Sequence, residues 1–279
     1  MPGEKVYLDT SSINCLYENF GNRSKKIFKD YEIYLSGSHL DEIIQISSVV
    51  RTQEIFKFLW SISNRIVLKD KRKLVEMEVS SLLSHIELNI EDYFYPKHEV
   101  YISAFKDLRK GVLGDKSKLA LSKIKDKKKI SFDQTKRRRV EWQSHFDGNR
   151  LPDSWDELFH VLRERRSFNR TLFIDLKGNN VIKIYKKKHI MDLIYENLVC
   201  TSIGLEYFFA FRFVTESMPR RYGKPTPGEI YDNTHVYYAG LVDIFVTDDE
   251  RMKYIMRDLL HINRPLIISS EEFVSIAQK

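Results

Sequence analysis

Val6-Tyr7-Leu8-Asp9-Thr10-Ser11-Ser12 is the stretch whose reading decides the rest of the chain. Three apolar residues run into an aspartate, and small hydroxyl residues then open a helix carrying Ile13, Leu16 and Tyr17. Open α/β sheets place their chemistry outside the carboxyl ends of the strands, so a carboxylate here is a candidate functional group. Asp, Ser and Thr are also ordinary helix caps, and Asp9 by itself would carry little weight. Thr10 and Ser12 are read as caps.

Working outward, a helix over about 12–20 stops at Gly21-Asn22, and Glu32-Ile33-Tyr34-Leu35 reads as a second strand. Ser36-Gly37-Ser38 leads into a helix near His39, and 53–62 reads as another. Ile66-Val67-Leu68 is a candidate third strand. After the Pro/Gly-rich connection through Pro219, Gly223, Pro225, Pro227 and Gly228, the rhythm returns with a helix over 230–241 and a strand over Val242-Asp243-Ile244-Phe245-Val246. A helix over 249–260, a strand over 265–268 and a closing helix over 271–277 complete it. Alternating strands and helices predict an α/β fold with a central parallel sheet flanked by helices, built from both ends of the chain. The interval 71–227 reads as a mostly helical insertion, with a basic segment at 106–139. Within that insertion, helices are expected over 100–112, from about Trp155 to Leu162, and over 190–213.

The 279 residues suffice for one large α/β domain or a domain with a substantial insertion. Hydrophobic residues at 42% and charged residues at 30% describe a globular chain, and no stretch has the ~18 uncharged apolar residues of a membrane span. The opening Met1-Pro2-Gly3-Glu4-Lys5 leaves no room for a signal peptide, so the expected compartment is the cytoplasm. Cys15 and Cys200, each in an apolar context, are expected as buried free thiols, and no Cys/His cluster has zinc spacing. The formal net charge of +7 favours nucleic acid or an anionic surface as partner, provided the charge is concentrated.

Four acids fall at comparable structural places: Asp9 ends the first strand, Glu42 lies on the helix after the second, Asp232 begins the helix before the fourth, and Asp249 follows that strand. Strand ends and helix starts share one rim in a parallel sheet, so all four could converge. Crowded carboxylates repel unless a cation sits among them, and an oxygen-only site suits Mg²⁺ or Mn²⁺. Such an ion activates water and neutralises phosphate, which points to phosphodiester hydrolysis. Asp248 competes with Asp249 for the last position, and Asp41 with Glu42. Asp243, inside a strand pattern, is not assigned to the metal. His235, one turn after Asp232, is read as a packing or hydrogen-bonding residue beside the site.

The order Val-Tyr-Leu-Asp9-Thr10-Ser11, then Tyr34-Leu35-Ser36 with Glu42 six residues on, then Asp232-Asn-Thr-His235 leading to Val242–Asp249, resembles a PIN domain over roughly 4–70 and 228–275. The resemblance implies a metal-dependent endoribonuclease acting on single-stranded RNA. Asp9, Glu42, Asp232 and Asp249 would then be the catalytic metal-binding acids, with Ser11, Thr247 and Asp248 in support. It also implies kinship with toxin components, in which an inhibitory protein partner restrains the nuclease; a homo-oligomer is a further possible partner state, and no membrane association is expected. Arg220, Arg221 and Lys224, just before Asp232, are the candidates for holding a backbone phosphate. The Lys/Arg run from Lys116 to Arg139 could also meet phosphates. Trp142 and His145 could stack on bases, though packing within the insertion is the favoured reading. The alternative function is a non-catalytic PIN-like scaffold that binds RNA or protein. An aspartyl-nucleophile phosphatase is disfavoured because Ser11 stands at the second position after Asp9. A nucleoside-triphosphatase lacks its glycine-rich loop.

Overall fold

The computed structural model describes residues 3–21, 24–64, 66–84, 88–95, 100–146, 157, 202, 205–206, 209, 227–257 and 265–278. They form an α/β structure with a four-stranded, all-parallel sheet flanked by helices. Strand β1 (Lys5–Leu8) is central, between β2 (Glu32–Tyr34) and β3 (Ile244–Val246), and β4 (Leu266–Ile268) lies outside β3. Tyr7 is opposite Tyr34 on one side and Phe245 on the other. Asp243, an unusual residue at a strand start, accepts the Lys5 backbone N–H on Oδ2 at 3.1 Å. That bond ties the beginnings of β1 and β3 together.

Period-two alternation divides the strands between two faces. Val6, Leu8, Ile33, Leu35, Ile244, Val246 and Ile268 join one core cluster. Each such aliphatic contributes about 1.5–3 kcal/mol on burial. Helices α1 (Thr10–Phe20), α3 (Gly37–Ile44), α4 (Val49–Ile62) and α10 (Ser270–Ala277) add Ile13, Leu16, Leu40, Phe56, Leu59 and Phe273 to it. The short α2 (Ser24–Ile27) precedes Phe28, which stacks on Phe273 with ring centres 4.8 Å apart. On the opposite face Tyr7 stacks on His39 at 5.0 Å and on Phe245 at 6.2 Å. Helix α1 ends at Gly21, whose φ of 44° is open to glycine and whose N–H meets the carbonyls of Leu16 and Tyr17.

Ile66-Val67-Leu68 does not become a strand of the sheet. Val67 makes a single parallel bridge to Leu35, and Leu68 a single antiparallel bridge to Phe94. The segment runs past the last residue of β2 and turns to meet a chain coming the other way, so neither partner offers it a ladder.

The described chain divides into two compact units. The first comprises Met1–Asp70, Ile90–Lys127 and Tyr238–Lys279; the second comprises Lys71–Asn89 and Lys128–Tyr237. The sheet-bearing unit thus includes residues that the sequence reading places in the insertion. The reason is α6 (Val100–Leu108): it buries Tyr101, Ile102, Ala104, Phe105 and Leu108 in the same core, with Phe105 edge-on to Phe56 at 5.9 Å. A hydrophobic stripe announces a buried face without naming what covers it.

The second unit contains α5 (Lys71–Ser84) and most of α8 (Pro227–Ala239). The long α7 (Asp115–Phe146) crosses from one unit to the other. Helix α9 (Glu250–Arg257) follows β3. The expected helices from Trp155 and over 190–213, apart from a few single residues, lie outside the described residues, as does Cys200. Cys15 is a free, partly buried thiol whose pKa is raised mainly by burial. No helix among the described residues is long and apolar enough to cross a membrane.

Candidate functional site

The carboxyl ends of β1 and β3 are bound into one network by the Asp9 side chain. Asp9 is the N-cap of α1 and only 4% exposed. Its Oδ1 accepts from the Ser12 backbone N–H at 2.7 Å, the Ser12 hydroxyl at 2.6 Å and the Ser11 hydroxyl at 2.8 Å. Its Oδ2 accepts from Ser11 at 2.8 Å and from the Thr247 hydroxyl at 2.6 Å. The Ser12 hydroxyl also stands 2.9 Å from the Val246 carbonyl, so its single proton is shared between two acceptors. Hydroxyl and amide donors of this kind stabilise negative charge on a buried carboxylate.

Thr247 and Ser11 each work in two directions. The Thr247 hydroxyl, while donating to Asp9, accepts the Asp249 backbone N–H at 3.2 Å. The Ser11 hydroxyl accepts the Asp248 N–H at 3.2 Å. The loop after β3 is therefore held against Asp9 by two hydroxyls. This loop also separates the two neighbouring acids. Asp248 turns toward α10, where its carboxylate accepts the Ser270 N–H at 3.0 Å and the Ser270 hydroxyl. Asp249 is exposed; its Oδ1 caps α9 through the Met252 N–H at 2.8 Å.

Behind Asp9 lies a buried polar link that the sequence did not reveal. His39 occupies the third position of α3, where a capping box usually carries Glu or Gln. Its Nδ1 accepts the Ser36 N–H at 3.1 Å. Its Nε2 donates to the Leu8 carbonyl at 2.7 Å, which defines a neutral ring with the proton on Nε2. The Ser36 hydroxyl pairs with the Tyr7 hydroxyl at 2.7 Å. All four residues, Tyr7, Leu8, Ser36 and His39, are buried. Burial drives the Tyr7 phenol well above its ordinary pKa. The Tyr238 ring hydroxyl adds to the rise, Ser36 opposes it, and the charges of Glu42 and Asp9 raise it further. Both carboxylates thus act on one phenol, and His39 joins the end of β1 to the helix bearing Glu42. The only sequence signal was a histidine three residues after an N-cap serine.

Asp9, Glu42 and Asp249, with Ser11, Thr247 and Asp248, belong to the first unit; Asp232 and His235 lie on α8 in the second. Asp41 and Glu42 are both partly buried on α3. Arg220, Arg221 and Lys224 lie outside the described residues, and nothing is described of the Trp142 and His145 side chains. Among the described residues, no three His, Cys, Asp or Glu side chains are grouped as a ready-made metal cage.

The second unit holds a different acidic cluster. Glu78 of α5 is buried; its carboxylate accepts from the Tyr237 hydroxyl at 2.9 Å and the Ser202 N–H at 3.3 Å. Burial raises its pKa to about 7; the nearby Glu206 charge pushes the same way, and the Tyr237 and Ser202 bonds oppose it. Glu206 pairs with Lys71, whose ammonium also lies 5.9 Å from the centre of the Tyr237 ring.

The fold and rim define an α/β protein with a parallel sheet and a hydroxyl-ringed aspartate at the end of its central strand. No family model, curated protein or solved structure matches the chain.

Proposed function

We propose that the chain is a PIN-like, metal-dependent endoribonuclease that hydrolyses RNA phosphodiesters at the Asp9 rim. The observation that carries this reading is the Asp9 carboxylate at the end of the central strand, oriented by Ser11, Ser12 and Thr247. Outer donors of this type fix a metal-binding carboxylate and tune its charge. The donor set is oxygen-only, which suits a hard cation. Mg²⁺ keeps several waters and commonly takes only one or two protein carboxylates. Asp9, Glu42 and Asp249 are the residues of the first unit that would hold it, and Asp232 is the fourth acid implied by the family resemblance. A bound divalent ion supplies an activated water and offsets charge on the scissile phosphate. The chain's own part is to orient Asp9, to keep Asp248 turned to Ser270, and to present the Asp249 carboxylate to solvent.

The test is cleavage of a single-stranded RNA by purified protein with Mn²⁺ or Mg²⁺. Asp9→Asn, which keeps the shape and some of the bonds, is expected to lower the rate by about a thousandfold, roughly 4 kcal/mol of barrier. Undiminished cutting by that variant removes Asp9 from the chemistry. Asp232→Asn is a separate arm, reporting on the fourth acid alone.

A second reading, a scaffold of the same fold that binds RNA or protein without cutting, draws on one observation. The donors already around Asp9 satisfy much of its accepting capacity without an ion. Calorimetric titration with Mn²⁺ separates the two, since the scaffold predicts no heat of binding that Asp9→Asn abolishes.

A further inference from the structure

The excess positive charge of the chain is confined to one helix. Segment 115–146 holds eleven Lys and Arg against four Asp and Glu, an excess of +7, equal to the formal net charge of all 279 residues. Outside α7, acids and bases balance.

Helix geometry sorts that charge. Lys118, Lys125, Lys129 and Lys136 recur at intervals of seven, four and seven residues, which at about 100° per residue keeps them within some 20° of one line. The row spans about 27 Å at 1.5 Å per residue. All four are exposed. It belongs to one helix, so its spacing is set by helix geometry alone. Ser117, Ala120 and Ile124, the buried row of the same helix, lie about 130° away around the axis. Of the four lysines, Lys118 has an ion pair among the described residues, with Asp115 at 3.8 Å. Asp126 and Asp133 run along a neighbouring row, too few to neutralise the helix. Lys125 and Lys129 are like charges four residues apart, a pairing that weakens a helix by about 0.2–0.5 kcal/mol. Such self-repulsion is relieved by a polyanion.

We propose that the Lys118–Lys125–Lys129–Lys136 row of α7 is a track for the phosphate backbone of single-stranded RNA. It would bind without regard to base sequence, each lysine meeting one phosphate. The choice of RNA rests on the nuclease reading above; the polyanion track rests on α7 alone. A lipid surface fits worse. Helices that lie on membranes insert an apolar face, and the apolar row of α7, Ala120 and Ile124, is already occupied in the core of the first unit.

The experiment is fluorescence anisotropy of a labelled uridine 30-mer RNA in EDTA, which measures binding without cleavage. Salt is varied between 50 and 200 mM. Changing all four lysines to alanine keeps a good helix former at exposed positions and is expected to fold as the parent, checked by circular dichroism. Its slope of log affinity against log salt is expected to be shallower by about 3, from about 0.7 for each phosphate no longer neutralised. Affinity at 50 mM salt is expected to fall by more than tenfold. A control carries Lys26, Lys57, Lys106 and Lys110 changed to alanine, all exposed and outside α7. It loses the same charge and is expected to keep the parent slope. Equal losses in the two variants would mean that net charge, not the track, binds RNA. Tighter binding of the protein to phosphatidylserine vesicles than to RNA, abolished in the α7 variant, would overturn the proposal in favour of a lipid partner. Cleavage by Asp9→Asn is read in a separate reaction with Mn²⁺. If that variant still cleaves while the slope result holds, the nuclease reading fails and the track stands.

Discussion

Asp9 and Glu78 are both carboxylates removed from water, and the chain treats them in opposite ways. Asp9 receives an amide and three hydroxyls. Glu78 receives one hydroxyl and one longer amide bond, beside a second acid. The first environment is furnished for a negative charge. The second penalises the charge, and its carboxyl holds a proton up to about pH 7. Burial alone therefore does not mark a functional acid; the donors around it decide whether it serves as an anion or as a neutral acid.

The largest test of that contrast is Glu78→Gln. An unfolded carboxyl releases its proton near 4.5, whereas folded Glu78 does so at about 7. The folded state binds more protons between these values. The contribution of Glu78 is therefore fully present below pH 4.5 and is lost as pH rises toward 7. The interval corresponds to about 3 kcal/mol. The glutamine variant, which keeps an acceptor for Tyr237, should show a flatter stability profile over that range. In urea unfolding at pH 8 it should exceed the parent by up to that amount. Parallel profiles would mean that Glu78 ionises normally in the folded protein.

A smaller effect is expected at the rim. His39→Phe keeps a ring to stack on Tyr7 but leaves the Ser36 N–H and the Leu8 carbonyl unpaired in the core. The expected loss is about 2 kcal/mol, read by thermal unfolding. No loss would show that packing alone sets α3 against β1. The smallest is Thr247→Val, which preserves shape and removes one donor to Asp9 and one acceptor for the Asp249 N–H. It should cost about 1 kcal/mol, with the other donors still in place. A loss as large as that of His39→Phe would make Thr247 the principal tie between β1 and β3.

Much of the first unit was legible because its signals are local. Short apolar runs marked β1, β2, β3 and β4, and small polar residues marked the starts of α1 and α3. The hydroxyls of Ser11 and Thr247 both donate to Asp9. Non-local facts were hidden. The docking of α6 depends on which core lies beneath it, and the loss of Ile66-Val67-Leu68 as a strand depends on Phe94 arriving from the other direction. His39 was missed because its role needs the Leu8 carbonyl, 31 residues earlier, at 2.7 Å. Asp243 looked anomalous in a strand until the Lys5 N–H came to meet it.

The central position of β1 has a consequence for synthesis. Its partner on one side, β2, leaves the ribosome soon after it; its partner on the other, β3, follows more than 230 positions later, as the Asp9–Thr247 separation of 238 records. While the residues between β2 and β3 are being made, the nascent chain carries β1 with one flank unpaired, an edge that invites association with other strands. Closure of the sheet is a late event, and contacts of such long range fold slowly. The α/β core of this protein is thus completed only once β3 and β4 have been made, so ribosome-bound chains that stop short of those two strands should depend on chaperones more than chains that contain them.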